Sequence, residues 1–212
     1  MKNIIVAAIL MAFTVTGFAQ NEKYTKAMTS ALTLIDSAKT VDDMLAASAT
    51  FERIGDAEKT QWLPYYYASY TQTIAAFMKN KADQYDSYGD KATSLLTKAE
   101  ALEKNNSEVS CLKSLIATLH MLVDPAQRWM QYSKDIDAAL ELSKKQDPTN
   151  PRPYYLQGQN LRSTPEQFGG GCANAKPLLQ EAMKRYEAFK PASPLYPSWG
   201  RKQTEEILAA CK

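Results

Sequence analysis

One pattern of small and apolar residues returns along this chain at a long, nearly fixed period. Ala92-x3-Leu96-x2-Ala99 is followed about forty residues later by Tyr132-x3-Ile136-x2-Ala139, and about forty residues after that by Ala175-x3-Leu179-x2-Ala182. Spacings of three and four put each set on one helical face. A small residue where two helices cross lets their axes approach closely. Such a period predicts helical hairpins stacked side by side, each burying a face it cannot cover alone. Ala, Leu, Lys, Glu and Gln are plentiful, while Gly is scarce outside Gly169-Gly170-Gly171, which favours helix over strand.

The N-terminus reads as an address. Lys2 is the only charge before Glu22, the run from Ile4 to Val15 is almost wholly apolar, and Gly17-Phe18-Ala19 follows. That is a basic segment, an apolar segment and a small-x-small cleavage site, so residues 1–19 are expected to be a signal peptide cut after Ala19. The apolar run is shorter than the ~20 residues needed to span a bilayer. Residues 20–212 are expected to form one exported helical domain with no transmembrane segment.

Charge excludes more than it suggests. Lys2 taken from the 25 basic residues leaves 24 against 23 acidic ones, and the signs are interspersed. No basic stripe argues for nucleic acid, and no acidic tail argues for disorder.

Periodicity and breakers divide the rest into about nine helices. Tyr24, Met28, Ala31, Ile35 and Ala38 stripe the first. Thr40 reads as the N-cap of the second, with Asp42 and Asp43 in its first turn and Gly55 ending or weakening it. The third is aromatic, with Trp62, Tyr65, Tyr66 and Tyr70 behind Pro64. The fourth carries Ala92, Leu95, Leu96 and Ala99, with Gly89 a weak point, and breaks at Asn105-Asn106. Leu112, Leu115, Ile116 and Leu119 stripe the fifth. Asp124-Pro125 opens the sixth, and Asp147-Pro148-Thr149-Asn150-Pro151 stops it. A short seventh helix runs from Tyr154 to about Leu161. Asn174 is expected to cap the eighth, which ends near Ala188. Pro191, Pro194 and Pro197 keep the next stretch extended, and a last helix runs from about Ser198 to Cys211.

The stretch Glu141-Leu142-Ser143-Lys144-Lys145-Gln146-Asp147-Pro148-Thr149-Asn150-Pro151-Arg152-Pro153-Tyr154-Tyr155-Leu156-Gln157-Gly158 resembles the junction between two tetratricopeptide repeats. In that family a helix closes on an Ala-Leu-x-Leu-Asp-Pro-x-Asn phrase, and the next opens with an aromatic and Leu-Gly. Here four residues separate Ala139-Leu140-Glu141-Leu142 from Asp147-Pro148-Thr149-Asn150, and Tyr154, Tyr155, Leu156 and Gly158 follow. The period of about 40–45 residues exceeds the family's ~34. The resemblance covers about residues 90–190. It implies an all-α, TPR-like right-handed α-α superhelix of about four hairpins plus a C-terminal helix. It also implies binding of a protein or peptide on a concave face, without catalysis.

Candidate chemistry is sparse. His120 is the single histidine, next to Met121 on an apolar helix, and reads as a structural or surface histidine. No second histidine and no Cys-x2-Cys spacing supports a metal site. Gly169-Gly170-Gly171 lacks the Gly-Lys-Ser/Thr ending of a phosphate loop and reads as a turn. No cofactor is expected.

Aromatics are the best binding candidates. Trp62, Tyr66 and Tyr70 share one face and read as core. Tyr67, Tyr85, Tyr88 and Tyr154 are candidate partner-binding residues, since exposed tyrosines supply rigid amphipathic contact area. The expected function is a non-enzymatic interaction module for an unidentified protein or peptide. The alternative is a small-ligand or glycan-binding accessory protein of an envelope transport system, in which the aromatic cluster and Tyr154-Tyr155 line a closed pocket.

Three cysteines in an exported chain allow at most one internal pair. If the last two helices are antiparallel, Cys172 and Cys211 come to the same end, and Cys111 is left as a buried thiol. Two free thiols or a pair involving Cys111 are the alternatives.

Overall fold

Short polar side chains at Thr40, Asn106 and Asp124 each fix the start of a helix. In the computed structural model, which describes residues 22–211, the first helix α1 spans 22–37. Helix α2 (Val41–Glu58) opens on a capping box: Thr40 Oγ1 accepts from the Asp43 N–H, and the Asp43 carboxylate accepts from the Thr40 N–H. Both satisfy orphan donors of the first turn. The N–H groups of Lys39 and Thr40 also hold the Asp43 carboxyl below its usual range. The helix runs through Gly55 and ends at Lys59, whose φ of 57° lies in the left-handed region. Gly55 is therefore not the stop that the sequence suggests.

Helix α3 (Trp62–Lys79) carries Pro64 in its first turn, where a missing N–H is tolerated. A 3-10 turn at Ala82–Gln84 leads into α4 (Tyr85–Leu102). Asn106 caps α5 (Ser107–Met121) by accepting from the N–H groups of Glu108 and Val109, and Asp124 caps α6 (Pro125–Gln146). Helix α7 spans Arg152–Ser163. Helix α8 (Cys172–Ala188) starts earlier than expected, on Gly171 with φ 89°, while the Asn174 amide donates to the Gly169 carbonyl. Pro177 falls in its second turn. Helix α9 (Arg201–Ala210) starts later than expected, after Gly200. Gly200 has φ 103°, and a Cβ there would stand 2.0 Å from the Tyr186 hydroxyl, so only glycine fits. Among the described residues the fold is all-α.

From α2 onwards each helix packs against the next, and α3, α5, α7 and α9 also touch in succession. One core runs through them, built from Phe51, Tyr66, Leu95, Leu112, Leu140, Leu156 and Leu179. The small-residue rows on α4 and α8 sit where the periodicity puts them: Ala92, Ala99, Ala175 and Ala182 are fully buried. The middle row is shifted. Tyr132 and Ala139 are half-buried, and the inward face of α6 is Ile136, Leu140 and Ser143. Ser143 takes the crossing because it pairs with Ser107 of α5: each hydroxyl donates to the other's carbonyl, at 3.0 and 2.9 Å. A hydroxyl matched this way is small enough for the crossing and leaves no polar group unpaired.

The C-terminal segment returns across the molecule. Cys172, the first residue of α8, is bonded to Cys211 just after α9, with Cα atoms 5.2 Å apart. Cys111 is the buried free thiol. The proline-rich connector between α8 and α9 is more than an extended spacer, because it lies on α3. Tyr67 donates to the Leu195 carbonyl, the Trp199 indole donates to the Tyr66 hydroxyl, and the Tyr70 and Trp199 rings stack at 5.2 Å. The expected signal peptide, residues 1–19, lies outside the described residues.

Candidate functional site

The tyrosines expected at the surface are mostly inside. Helix α3 buries 12 of its 18 residues, so it has no outward face for Tyr67. Tyr67 is only 4 % exposed; Phe51 stacks on it and the connector caps its hydroxyl. Tyr85 and Tyr88 are also buried, where the start of α4 meets the end of α3. Tyr154 is half-buried, and its ring lies between Lys144 and Arg185, whose cationic groups stand 4.8 and 4.1 Å from its centre. These four residues are not brought together, and three of them present no surface. Trp62, Tyr66 and Tyr70 do form the expected aromatic face, but Tyr196 and Trp199 fill it.

Behind that face lies a fully buried ion pair. Arg152 of α7 reaches Glu108 of α5 at 2.9 Å and also donates to the Pro197 carbonyl of the connector. Asn150 donates to the same oxygen that Arg152 holds, Glu108 Oε1, and Tyr66 donates to Glu108 Oε2. The guanidinium lies over the rings of Phe189 and Trp199. Burial pushes the Glu108 carboxyl up, while Arg152, Tyr66 and Asn150 oppose it. The cluster joins α3, α5, α7 and the connector. It is closed to solvent: Arg152, Glu108, Asn150 and Tyr66 are all fully buried.

An open groove lies elsewhere, over α5 and between α4 and α6. Three helical stripes line it. Thr93, Leu96, Thr97 and Glu100 come from α4; Lys113, Ile116, Ala117 and His120 come from α5; Tyr132 and Asp135 come from α6. Its volume is about 200 Å³. The seven residue steps of α5 from Lys113 to His120 make it about 10 Å long at ~1.5 Å per residue. The floor is apolar at Leu96, Ile116 and Ala117, and the rim carries both signs of charge. Among the described residues, no group of His, Cys, Asp and Glu could hold a metal ion.

One end of the groove is a fixed aromatic wall. The His120 and Tyr132 rings stack with centres 5.7 Å apart. His120 Nδ1 is 2.7 Å from Asp86 Oδ1, and the far edge of the ring lies on Gly89, where a Cβ would come within 2.6 Å of Nε2. Gly89 is thus a seat for the imidazole and not a weak point of α4. Arg128 clamps the same carboxylate, Nη1 to Oδ1 at 2.7 Å and Nη2 to Oδ2 at 2.9 Å, and donates to the His120 carbonyl. The sequence leaves His120 as a structural or surface residue, and the structure makes it structural, held by Asp86, Gly89 and Tyr132. Tyr132 and the clamp were not identified, because Asp86, His120 and Arg128 come from three helices. Trp129, 48 % exposed, stands one turn before Tyr132, and Met130 beside it is 76 % exposed.

The clamp has a pH signature. Hydrogen bonds from Arg128 and then His120 lower the Asp86 carboxyl from 3.8 to about 2. A carboxyl lowered in the folded state contributes stability that is present above its unfolded value and lost as pH falls through the folded one. The contribution of Asp86 is therefore lost between about pH 4 and pH 2. Replacing Arg128 by Met removes the stronger partner. The variant should be less stable at pH 6, and the difference from the parent should shrink towards pH 2. A difference independent of pH in denaturant melts would contradict this.

No established protein family matches the sequence, and no curated protein does. Among solved structures, the chain is similar to the HusA haemophore from Porphyromonas gingivalis. The two share 34 % identity over 89 % of this chain and 92 % of that one, and superpose with a TM-score of 0.80.

Proposed function

We propose that this chain, which belongs to the HusA haemophore family, is an exported, non-enzymatic protein that captures haem in the groove over α5 and serves an envelope transport system. Residues 20–212 then act as one TPR-like domain that follows a removed signal peptide. The observation that carries the reading is the likeness to a haemophore at 34 % identity over nearly the whole of both chains.

The chemistry of the groove supports it. A tetrapyrrole is a flat, mostly apolar ring bearing two carboxylates. Leu96, Ile116 and Ala117 offer an apolar floor, Tyr132 offers an aromatic face, and the rim is polar. At about 200 Å³ the groove is smaller than the ~300–1,000 Å³ of pockets that enclose a drug-sized ligand. The ring would be held along a face or edge, with the remainder towards solvent. Nδ1 of His120 is taken by Asp86 and Nε2 lies against Gly89. Recognition therefore falls to the ring face and its carboxylates, with no imidazole–iron bond from His120. A protein or peptide partner bound on a concave face through Tyr67, Tyr85, Tyr88 and Tyr154 has less support, because the first three are buried and residues of the chain itself cover Tyr67.

The test is a titration of the mature chain with ferric protoporphyrin IX, followed by haem absorbance and tryptophan quenching. Saturable binding at one site per chain is expected. Ala117→Trp fills the floor and should weaken binding by on the order of tenfold or more, with an unchanged far-UV spectrum. Haem that leaves both signals unchanged in the parent protein would sink the proposal.

A further inference from the structure

Two cations stand near the two ends of the groove, and both are engaged, but not in the same way. At the aromatic end, Arg128 holds Asp86 with two nitrogens and the His120 carbonyl with one of them. Removing it would undo the wall. At the other end, Lys113 makes a single contact with Glu100 at 2.5 Å, and both side chains are nearly half exposed. Both residues line the groove. A solvated pair of this kind adds little to stability, so its exchange for another carboxylate costs little.

From this arrangement we propose that Lys113 is the carboxylate anchor of the groove and that Glu100 is its resident stand-in, displaced when a ring-borne carboxylate enters. The inference rests on the tetrapyrrole reading above and adds the group that selects the ligand. Glu100 reaches Lys113 from the last turn of α4, and Lys113 stands seven residues before His120 on the same face of α5. A ring lying on Ile116 and Ala117 with one edge at Tyr132 therefore has its opposite edge at Lys113. A carboxylate on that edge is tethered to a ring already bound. Its effective concentration at Lys113 is high, which lets it compete with Glu100. A flat apolar ring without acids would gain the floor and forgo the anchor. The groove thus discriminates for acid-bearing rings, and Glu100 keeps the lysine paired until one arrives.

The experiment compares ferric protoporphyrin IX with its dimethyl ester, using the mature parent chain and the variants Lys113→Ala, Lys113→Arg and Glu100→Gln. In the parent the ester should bind on the order of tenfold more weakly than the free acid, the usual scale of one charge-assisted hydrogen bond. Lys113→Ala should bind acid and ester alike, at the parent's ester affinity. Lys113→Arg should restore the preference. Glu100→Gln should bind the free acid a few-fold more tightly, because nothing has to leave. Equal binding of acid and ester by the parent, with Lys113→Ala unchanged, overturns the anchor and leaves the haem reading standing. No binding of the free acid by the parent overturns both.

Discussion

Replacing Arg152 by Met should destabilise the protein by about 3–5 kcal/mol, the usual scale for stranding one partner of a buried ion pair. Glu108 is left in a site with no exposed surface, facing only Asn150 and Tyr66. Loss of the guanidinium also frees the Pro197 carbonyl and the stack on Phe189 and Trp199. The sign of the pH dependence is fixed. Burial already raises the Glu108 carboxyl, and Arg152 is the largest influence opposing it. Without Arg152 the folded state holds the proton more tightly than the unfolded chain does. The defect should therefore be largest near neutral pH and shrink as pH falls below the ordinary glutamate range. Adding Glu108→Gln should recover part of the loss, because the stranded group is then neutral. Urea melts of the two variants across pH decide it. A defect below about 1 kcal/mol would contradict the buried-pair account.

Removal of the Cys172–Cys211 bond has the second largest expected effect. The bond closes a sequence separation of 39 residues, which is worth about 4 kcal/mol in the chain-entropy model. Helix α9 depends on it. Thr204 is the one buried residue of its ten, so packing alone gives it a weak hold. Cys172→Ser with Cys211→Ser should lower stability by about 3–4 kcal/mol and raise amide exchange first in α9 and the connector. The buried Cys111 thiol should stay unreactive in the native protein, since burial pushes its pKa up. An unchanged midpoint in the double variant would show that α9 is held by its packing.

Local chemistry made much of the fold legible. Thr40, Asn105-Asn106 and Asp124-Pro125 mark helix boundaries through side chains acting on the nearest backbone, and these signals lie within a few residues of each other. The disulfide was legible for a related reason, since two adjacent antiparallel helices bring their outer ends together, although α9 proves much shorter than α8 and the connector takes up the offset. What failed depended on distance along the chain. Tyr67 looks half-exposed on the helical wheel of α3, and the residue that caps it, Leu195, is 128 positions away. Ala139 continues the small-residue period, but the hydroxyl pairing of Ser107 and Ser143 across 36 positions sets the register of α6. The groove was hidden for both reasons. Its stripes mix threonine, lysine, alanine and aspartate, which read as ordinary solvated faces, and only the approach of three helices makes them one surface.

The return of the connector to α3 also sets an order of events. Tyr66, Tyr67 and Tyr70 lie in the first third of the chain, and the residues that cover them lie in the last tenth, up to 133 positions later. Helices α2 to α6 can pair with their neighbours as soon as they are made. The aromatic face of α3 stays wet until nearly the last residue has arrived. Pairings this remote slow the final step of folding, and a chain stopped after α8 would keep that face open to other chains. Helpers that hold partly made protein, and proteases that remove it, would meet that surface in every molecule. A short deletion at the C-terminus should thus be felt first as loss of yield, before any measurement of ligand binding can be made.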